Sequence, residues 1–227
     1  MSYCRLVLVA RSLDPGYLSN AYIVGEAAGG TAVFVDSGSP LEPLLAFARE
    51  HELTPTHVLR THSHTDHVVH EAELGLPVVT GSVRAGELEI EAIPTPGHSD
   101  DMVCFVISDG SGEELVFSGD TLFKDSVGGG NFDLVKDAVM NVFMAMPRNR
   151  RLLPGHTDES TIGREWDENP FVRVWRGAEP EGTGRVSVRG NPATLIVWSP
   201  DYDGKGKAWV RFDDGTDAIV GGSAVAR

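Results

Sequence analysis

Short apolar runs separated by glycine, proline and aspartate dominate the first two thirds of the chain. Residues 5–10, 22–24, 31–35, 56–60, 77–80, 87–93, 102–107, 115–117 and 152–153 read as strands. Two longer stretches have helical period. In 41–51, Leu41, Leu44, Leu45 and Ala48 share one face, and in 133–146 Val135, Val139, Val142, Phe143 and Met146 recur at helical spacing. Asn131 or Asp133 is placed to cap the second of these. Residues 66–74 and 161–169 are shorter helix candidates. The order predicts an α/β (α+β) domain in which helices flank two sheets.

The texture changes after Pro170. Residues 185–188, 194–198, 207–212 and 218–220 alternate as strands and are joined by Gly/Asp/Pro turns, which predicts a small all-β extension. The division expected is 1–171 for the main domain and 172–227 for the extension. In so small a unit Trp198, Trp209, Tyr202 and Phe212 are expected inside its own core, with a binding face or a dimer contact as the alternative. Trp175, Arg173 and Arg176 either join the extension to the main domain or line a substrate entrance. Gly128–Gly129–Gly130 reads as a mobile or close-approach loop rather than a linker.

Composition narrows the picture. The 227 residues suffice for a sizeable core, no apolar run approaches membrane-spanning length, and residues 1–10 lack a signal-peptide core. A cytoplasmic protein is expected. Cys4 and Cys104 sit in apolar strand-like runs and are expected as reduced thiols. The net charge of −14 opposes nucleic-acid backbones and anionic membranes. It is concentrated in residues 1–171, which hold 26 Asp/Glu against 11 Lys/Arg, so bound divalent cations would cancel part of it.

The candidate chemistry lies among the eight histidines. Thr61-His62-Ser63-His64-Thr65-Asp66-His67 directly follows a predicted strand. In extended backbone, side chains two apart point the same way, so His62 and His64 suit one ion. Asp66 and His67 leave the following turn in a new direction suited to a second. His98, Asp120 and His156 each follow an apolar strand beside a glycine, and polar residues at strand ends gather at one sheet edge. Together they predict a binuclear site. His51, His57 and His70 lack such a context and are expected in surface or structural roles.

Thr-His-Ser-His-Thr-Asp-His, Pro-Gly-His-Ser, Ser-Gly-Asp-Thr-Leu-Phe and Leu-Pro-Gly-His-Thr, in this order, resemble the metallo-β-lactamase superfamily, most closely its glyoxalase II-like branch. The resemblance spans roughly residues 5–171, including Asn20-Ala21-Tyr22-Ile23-Val24 and Val35-Asp36-Ser37-Gly38. It implies an αββα sandwich with the site at one edge. It also implies that His62, His64 and His98 bind one metal, that Asp66, His67 and His156 bind a second, and that Asp120 bridges both. Two features depart from the pattern. The Gly-Arg pair usual after Gly-Asp-Thr-Leu-Phe is replaced by Lys124 to Asn131, and the helical glutathione-binding domain has no counterpart, since 172–227 reads as β.

Seven His/Asp donors without a thiolate suit two divalent ions, zinc first, with iron or manganese as alternatives. Such a pair lowers the pKa of a shared water from 15.7 to around 7, giving a metal-bound hydroxide able to attack a carbonyl. Asp66 is expected to orient the nucleophile and Asp120 to hold the metal pair. The expected enzyme is thus a binuclear thioester or ester hydrolase acting on a small molecule, with no nucleic-acid or membrane partner and with a homodimer open. The alternative is a mononuclear iron persulfide dioxygenase using His62, His98 and Asp120, and a lactonase or nuclease stands behind both.

Overall fold

A computed structural model describes residues 7–110 and 112–226; Cys4 and the first two residues of the strand expected at 5–10 lie outside them. The first sheet runs β1 (Leu8–Leu13), β2 (Asn20–Gly25), β3 (Thr31–Val35), β4 (Thr54–Leu59) and β5 (Val78–Val79), in sequence order. The second holds β6 (Val83–Ala85), β7 (Leu88–Pro94), β8 (Val103–Ser108) and β9 (Glu114–Gly119). After a small hairpin of β10 (Leu122–Phe123) and β11 (Ser126–Val127), it is completed by β12 (Arg151–Pro154) and β13 (Ser160–Thr161). Its order is β13-β12-β9-β8-β7-β6.

Strand alternation assigns each side chain to a layer. In β2 and β3, Tyr22, Val24, Val33 and Val35 meet Phe105, Ile107, Leu115 and Phe117 of β8 and β9 between the sheets. Their neighbours Ala21, Ile23, Ala32 and Phe34 point outward onto Leu44 and Ala48. Those two belong to α1 (Glu42–Glu50). On the far side, Cys104, Val106, Val116 and Leu152 leave the second sheet for an outer helical layer. The central strands β2, β3, β8 and β9 are therefore covered on both faces, which is why they read as continuous apolar runs. The expected αββα sandwich is the observed one.

Three helices depart from the expected outlines. The stretch 66–74 splits into α2 (Thr65–Val68) and α3 (Glu71–Leu74), because the His70 amide is drawn to the Ser37 carbonyl at 3.1 Å instead of continuing the ladder. The stretch 133–146 becomes α4 (Phe132–Asp137), capped by Asn131, then a π-type turn (Ala138–Val142) and a 3₁₀ turn (Phe143–Ala145). In an α-helix each four-residue step drifts about 40° around the axis. The wider turn cancels that drift and keeps Val135, Val139 and Phe143 on the core. After α5 (Ile162–Glu168) comes an unexpected α6 (Pro170–Trp175). Asn169 caps it by accepting from the Phe171 and Val172 amides, with Pro170 at its first position. The boundary expected after residue 171 falls inside this helix.

The extension forms a third sheet, β17-β16-β15-β14-β18, from β14 (Gly184–Val188), β15 (Asn191–Ser199), β16 (Lys207–Phe212), β17 (Asp217–Gly221) and β18 (Val225–Ala226). Phe212 joins its own core with Val188, Ala193, Ala208 and Val210. Trp209 does not. It packs on Phe132 at 5.1 Å and near Trp175 at 6.2 Å, within a cluster that runs from Val135 and Phe171 to Ile196, Val197 and Ile219. Trp175 thus joins the extension to the sandwich. Among the described residues no helix is long and apolar enough to cross a membrane.

Candidate metal centre

The site collects at the sheet edge where β3, β4, β9 and β12 end. Past β4 the chain bends at Thr61 and is extended again at His64, and α2 then turns Asp66 and His67 inward. That turn needs a bare neighbour. A Cβ on Gly38 would sit 1.6 Å from the Asp66 carbonyl oxygen, so the segment after β3 packs directly on the α2 backbone. The glycine triplet is used the same way: a Cβ on Gly128 would meet the Asp120 carbonyl oxygen at 1.7 Å. Of the two readings of that triplet, close approach is the one the structure shows.

All seven predicted residues meet at this edge. His62, His64 and His98 form one group of facing donor atoms, Asp66, His67 and His156 form another, and His62, His67 and Asp120 lie between them. The Asp120 carboxylate is 3.4 Å from His67 Nε2, 3.3 Å from His156 Nε2 and 3.5 Å from His98 Nε2. It therefore touches both outer groups. His51, His57 and His70 take no part: His51 lies on the Phe47 ring, His57 contacts Thr56 and His70 pairs with Glu73.

A second layer fixes four of the imidazoles by Nδ1. His67 donates to Asp36 at 2.9 Å, His98 to the Gly129 carbonyl at 2.9 Å and His156 to the Leu18 carbonyl at 2.8 Å. His62 donates to the Thr61 hydroxyl, which itself donates to Asp36. Each ring therefore turns Nε2 toward the cluster, as metal-binding histidines do. His64 differs and turns Nδ1 inward, 3.0 Å from the Nε2 atoms of both His62 and His98. Three nitrogens on one tetrahedral ion at about 2.0–2.1 Å lie roughly 3.3 Å apart. The observed spacing is close to that. His67 Nε2 and Asp120 Oδ1, both buried, have no hydrogen-bond partner among the described residues. Buried orphans of this kind are costly unless something else binds them. The donor set and its spacing fit divalent cations.

The electrostatics divide the histidines into two kinds. Burial, then the charge on His67, lowers His62 to about 4, and burial lowers His98 as well. Burial acts the same way on His67 and His156, but neighbouring carboxylates together outweigh it, Asp120 and Asp36 for His67 and Asp120 and Asp66 for His156. His67 lies well above the ordinary range, and His156 is pushed up to about 9. Asp120, whose burial alone would raise it, is held well below the carboxylate range by those two imidazoles. A hydrogen bond with His156 holds Asp66 low. Cations entering at pH 7 must therefore displace protons from His67 and His156, while His62 and His98 already offer lone pairs. Titrating zinc into chelator-stripped protein is expected to release protons at pH 7, from His67 and His156 as well as from any water the ions ionise, with the imidazole share falling toward pH 9, where His156 has begun to lose its own. Calorimetry in buffers of different ionisation enthalpy reads this directly; a heat independent of buffer contradicts it.

A family profile described as the metallo-beta-lactamase superfamily matches residues 14–69, from the β1–β2 turn through the His62–His67 segment. The chain belongs to the metallo-beta-lactamase superfamily. Among superfamily relatives, the probable metallo-hydrolase YqgX of Bacillus subtilis is 25% identical over 199 residues, covering 68% of this chain and 92% of that one. A hydroxyacylglutathione hydrolase of Rhodopseudomonas palustris is 31% identical over 160 residues, covering 60% and 61%. Among solved structures, TTHA1623 in a di-iron-bound form superposes with a TM-score of 0.54 at 30% identity, covering 70% of this chain and 98% of the other.

Two residues of the site have no role in the motif reading. Asp36 follows the apolar strand β3, the same strand-end signal that marked Asp120 and His156, and it anchors both Thr61 and His67. Tyr202 carries no such signal. It comes from the turn between β15 and β16, and its ring stacks on His156 with centroids 3.9 Å apart and planes at 11°.

Proposed function

We propose that this protein is a metal-dependent hydrolase of the glyoxalase II type that cleaves a thioester or ester of a small molecule. The reading rests on one observation: Asp120 lies within 3.5 Å of imidazoles from both outer groups, an arrangement suited to two ions sharing one carboxylate. In this reading His62, His64 and His98 hold one divalent ion, Asp66, His67 and His156 hold the other, and Asp120 belongs to both. Zinc is the first candidate, with iron or manganese next. When bound, such ions polarise a carbonyl and supply hydroxide near neutral pH.

The remaining work falls to the chain. Asp36, Thr61 and the Leu18 and Gly129 carbonyls hold the Nδ1 protons, so Nε2 is the atom that each of these rings presents to a cation. Asp66 is the most exposed of the three acids around the cluster, its side chain 23% accessible, and orients a nucleophile arriving from solvent. As it also binds a cation, its role as proton acceptor is secondary. The hydrolase names of relatives agree with this chemistry.

The test is a panel of small thioesters and esters with zinc-reconstituted protein, run in air and under argon. Equal hydrolysis in both is expected, because zinc cannot pass electrons to oxygen. If iron-loaded protein consumes oxygen with a thiol persulfide while the zinc form hydrolyses nothing, the proposal is replaced by a dioxygenase.

A further inference from the structure

Beside the cluster lies a cavity of about 370 Å³ to which the sandwich and the extension both contribute. Leu13 enters from the end of β1 and Leu18 from the β1–β2 connection, Lys124 and Asp125 from the β10–β11 turn, Thr157 and Asp158 from the loop after His156, and Pro200, Asp201 and Tyr202 from the β15–β16 turn of the third sheet. Tyr202 joins cavity and cluster, since it lines the one and stacks on a histidine of the other. Its loop is anchored. Asp201 makes a buried ion pair with Lys207 at 2.9 Å and caps the Tyr202 amide, while the Ser199 hydroxyl meets Ser126 at 3.2 Å. Tyr202 is therefore held in place by the sandwich, not merely draped over it.

Each acid that lines this cavity has a cationic partner, although Arg164 divides its charge among Asp125, Glu165 and Glu168. Asp125 pairs with Arg164, Asp158 with Arg11 and Asp201 with Lys207, at 2.8, 3.1 and 2.9 Å. Among the described residues, the Lys124 ammonium has no ion-pair or hydrogen-bond partner. On a chain of net charge −14, the cavity beside the cluster thus presents an uncompensated cation next to the apolar surfaces of Leu13, Leu18, Pro200 and Tyr202.

We propose that this cavity is a substrate subsite which takes an apolar stem ending in an anionic group such as a carboxylate, with Tyr202 of the extension as the wall for the stem and Lys124 as the charge partner. It rests on the proposed hydrolysis only in placing the scissile bond over the cluster. Lys124 and Tyr202 act on specificity: neither belongs to the donor set, and both lie where the part of a substrate remote from its scissile bond would extend.

Two measurements test this on zinc-reconstituted protein. The first compares two thioesters that differ only at the far end of the acyl chain, carboxylate against carboxamide. The wild type is expected to prefer the carboxylate about tenfold in kcat/KM, Lys124→Met to bring the ratio close to one, and Lys124→Glu to invert it. A merely structural lysine would not invert a substrate preference. Tyr202→Ala is expected to raise KM for both thioesters while metal content holds. The second measurement needs no turnover: calorimetry with hexanesulfonate, a weak metal ligand, against hexanol. Binding of the sulfonate that weakens about tenfold in Lys124→Glu supports the subsite even if no thioester on the panel is cleaved. A wild-type ratio near one, or sulfonate binding unchanged by Lys124→Glu, overturns it.

Discussion

Asp120→Asn is expected to lower bound metal and to reduce turnover on the order of a thousandfold. Residues that merely support a metal ligand typically cost 10–100-fold, and Asp120 faces three imidazoles directly. The amide keeps the shape but loses the charge that opposes two cations and that now balances His67 and His156. His62→Ala is expected to behave alike, and His51→Ala, which removes only a ring lying on Phe47, to leave metal and rate intact. Metal analysis together with turnover decides it. An Asp120 variant with full metal and full rate would show that this carboxylate is not shared.

Gly38→Ala is the second large effect, and it acts through backbone. A methyl 1.6 Å from the Asp66 carbonyl oxygen cannot be accommodated by a rotamer change, because both partners are main chain. Either β3 or α2 must move, and the move carries Asp66 and His67 away from Asp120. Overpacking of this kind costs about 3 kcal/mol, which for a chain of this length lowers Tm by roughly 6–12 °C. Loss of the second group of donors accompanies it. Gly81→Ala, where an added methyl meets nothing within 4 Å, is the matched control and should melt like the parent. Retention of metal and Tm in Gly38→Ala would mean that the close approach is not maintained in solution.

How much of this was legible in the sequence depended on whether a residue's partner lay nearby in the chain. Strands buried on both faces announce themselves by apolar runs, so β2, β3, β8 and β9 were readable. The His62–His67 spacing and the strand-end positions of His98, Asp120 and His156 were readable because strand direction alone carries them to one edge. Asp36 had the same strand-end signal, yet its function appears only when Thr61 and His67, 25 and 31 residues on, are seen to share its carboxylate. Helix α6 was missed although Asn169-Pro170 is a start signal, since the change in texture after Pro170 suggested a boundary there. Tyr202 could not be read at all. An aromatic in a Gly/Asp turn of a small sheet points to that sheet's core, and its actual neighbour, His156, lies 46 positions earlier and belongs to a different layer.

The apolar cluster shared between α4 and the third sheet also has a consequence in time. Phe132 and Val135 leave the ribosome about 80 residues before Trp209 and Ile219, which cover them. At roughly 5–20 residues per second, that is an interval of about 4–16 seconds. During it every one of the seven donors is already synthesised by residue 156, while the outer apolar layer of the sandwich stays exposed and able to associate with other nascent chains. The last strands therefore act as a built-in cover for a half-finished protein, and a messenger truncated before codon 209 would yield a sticky product, whatever the state of its histidines.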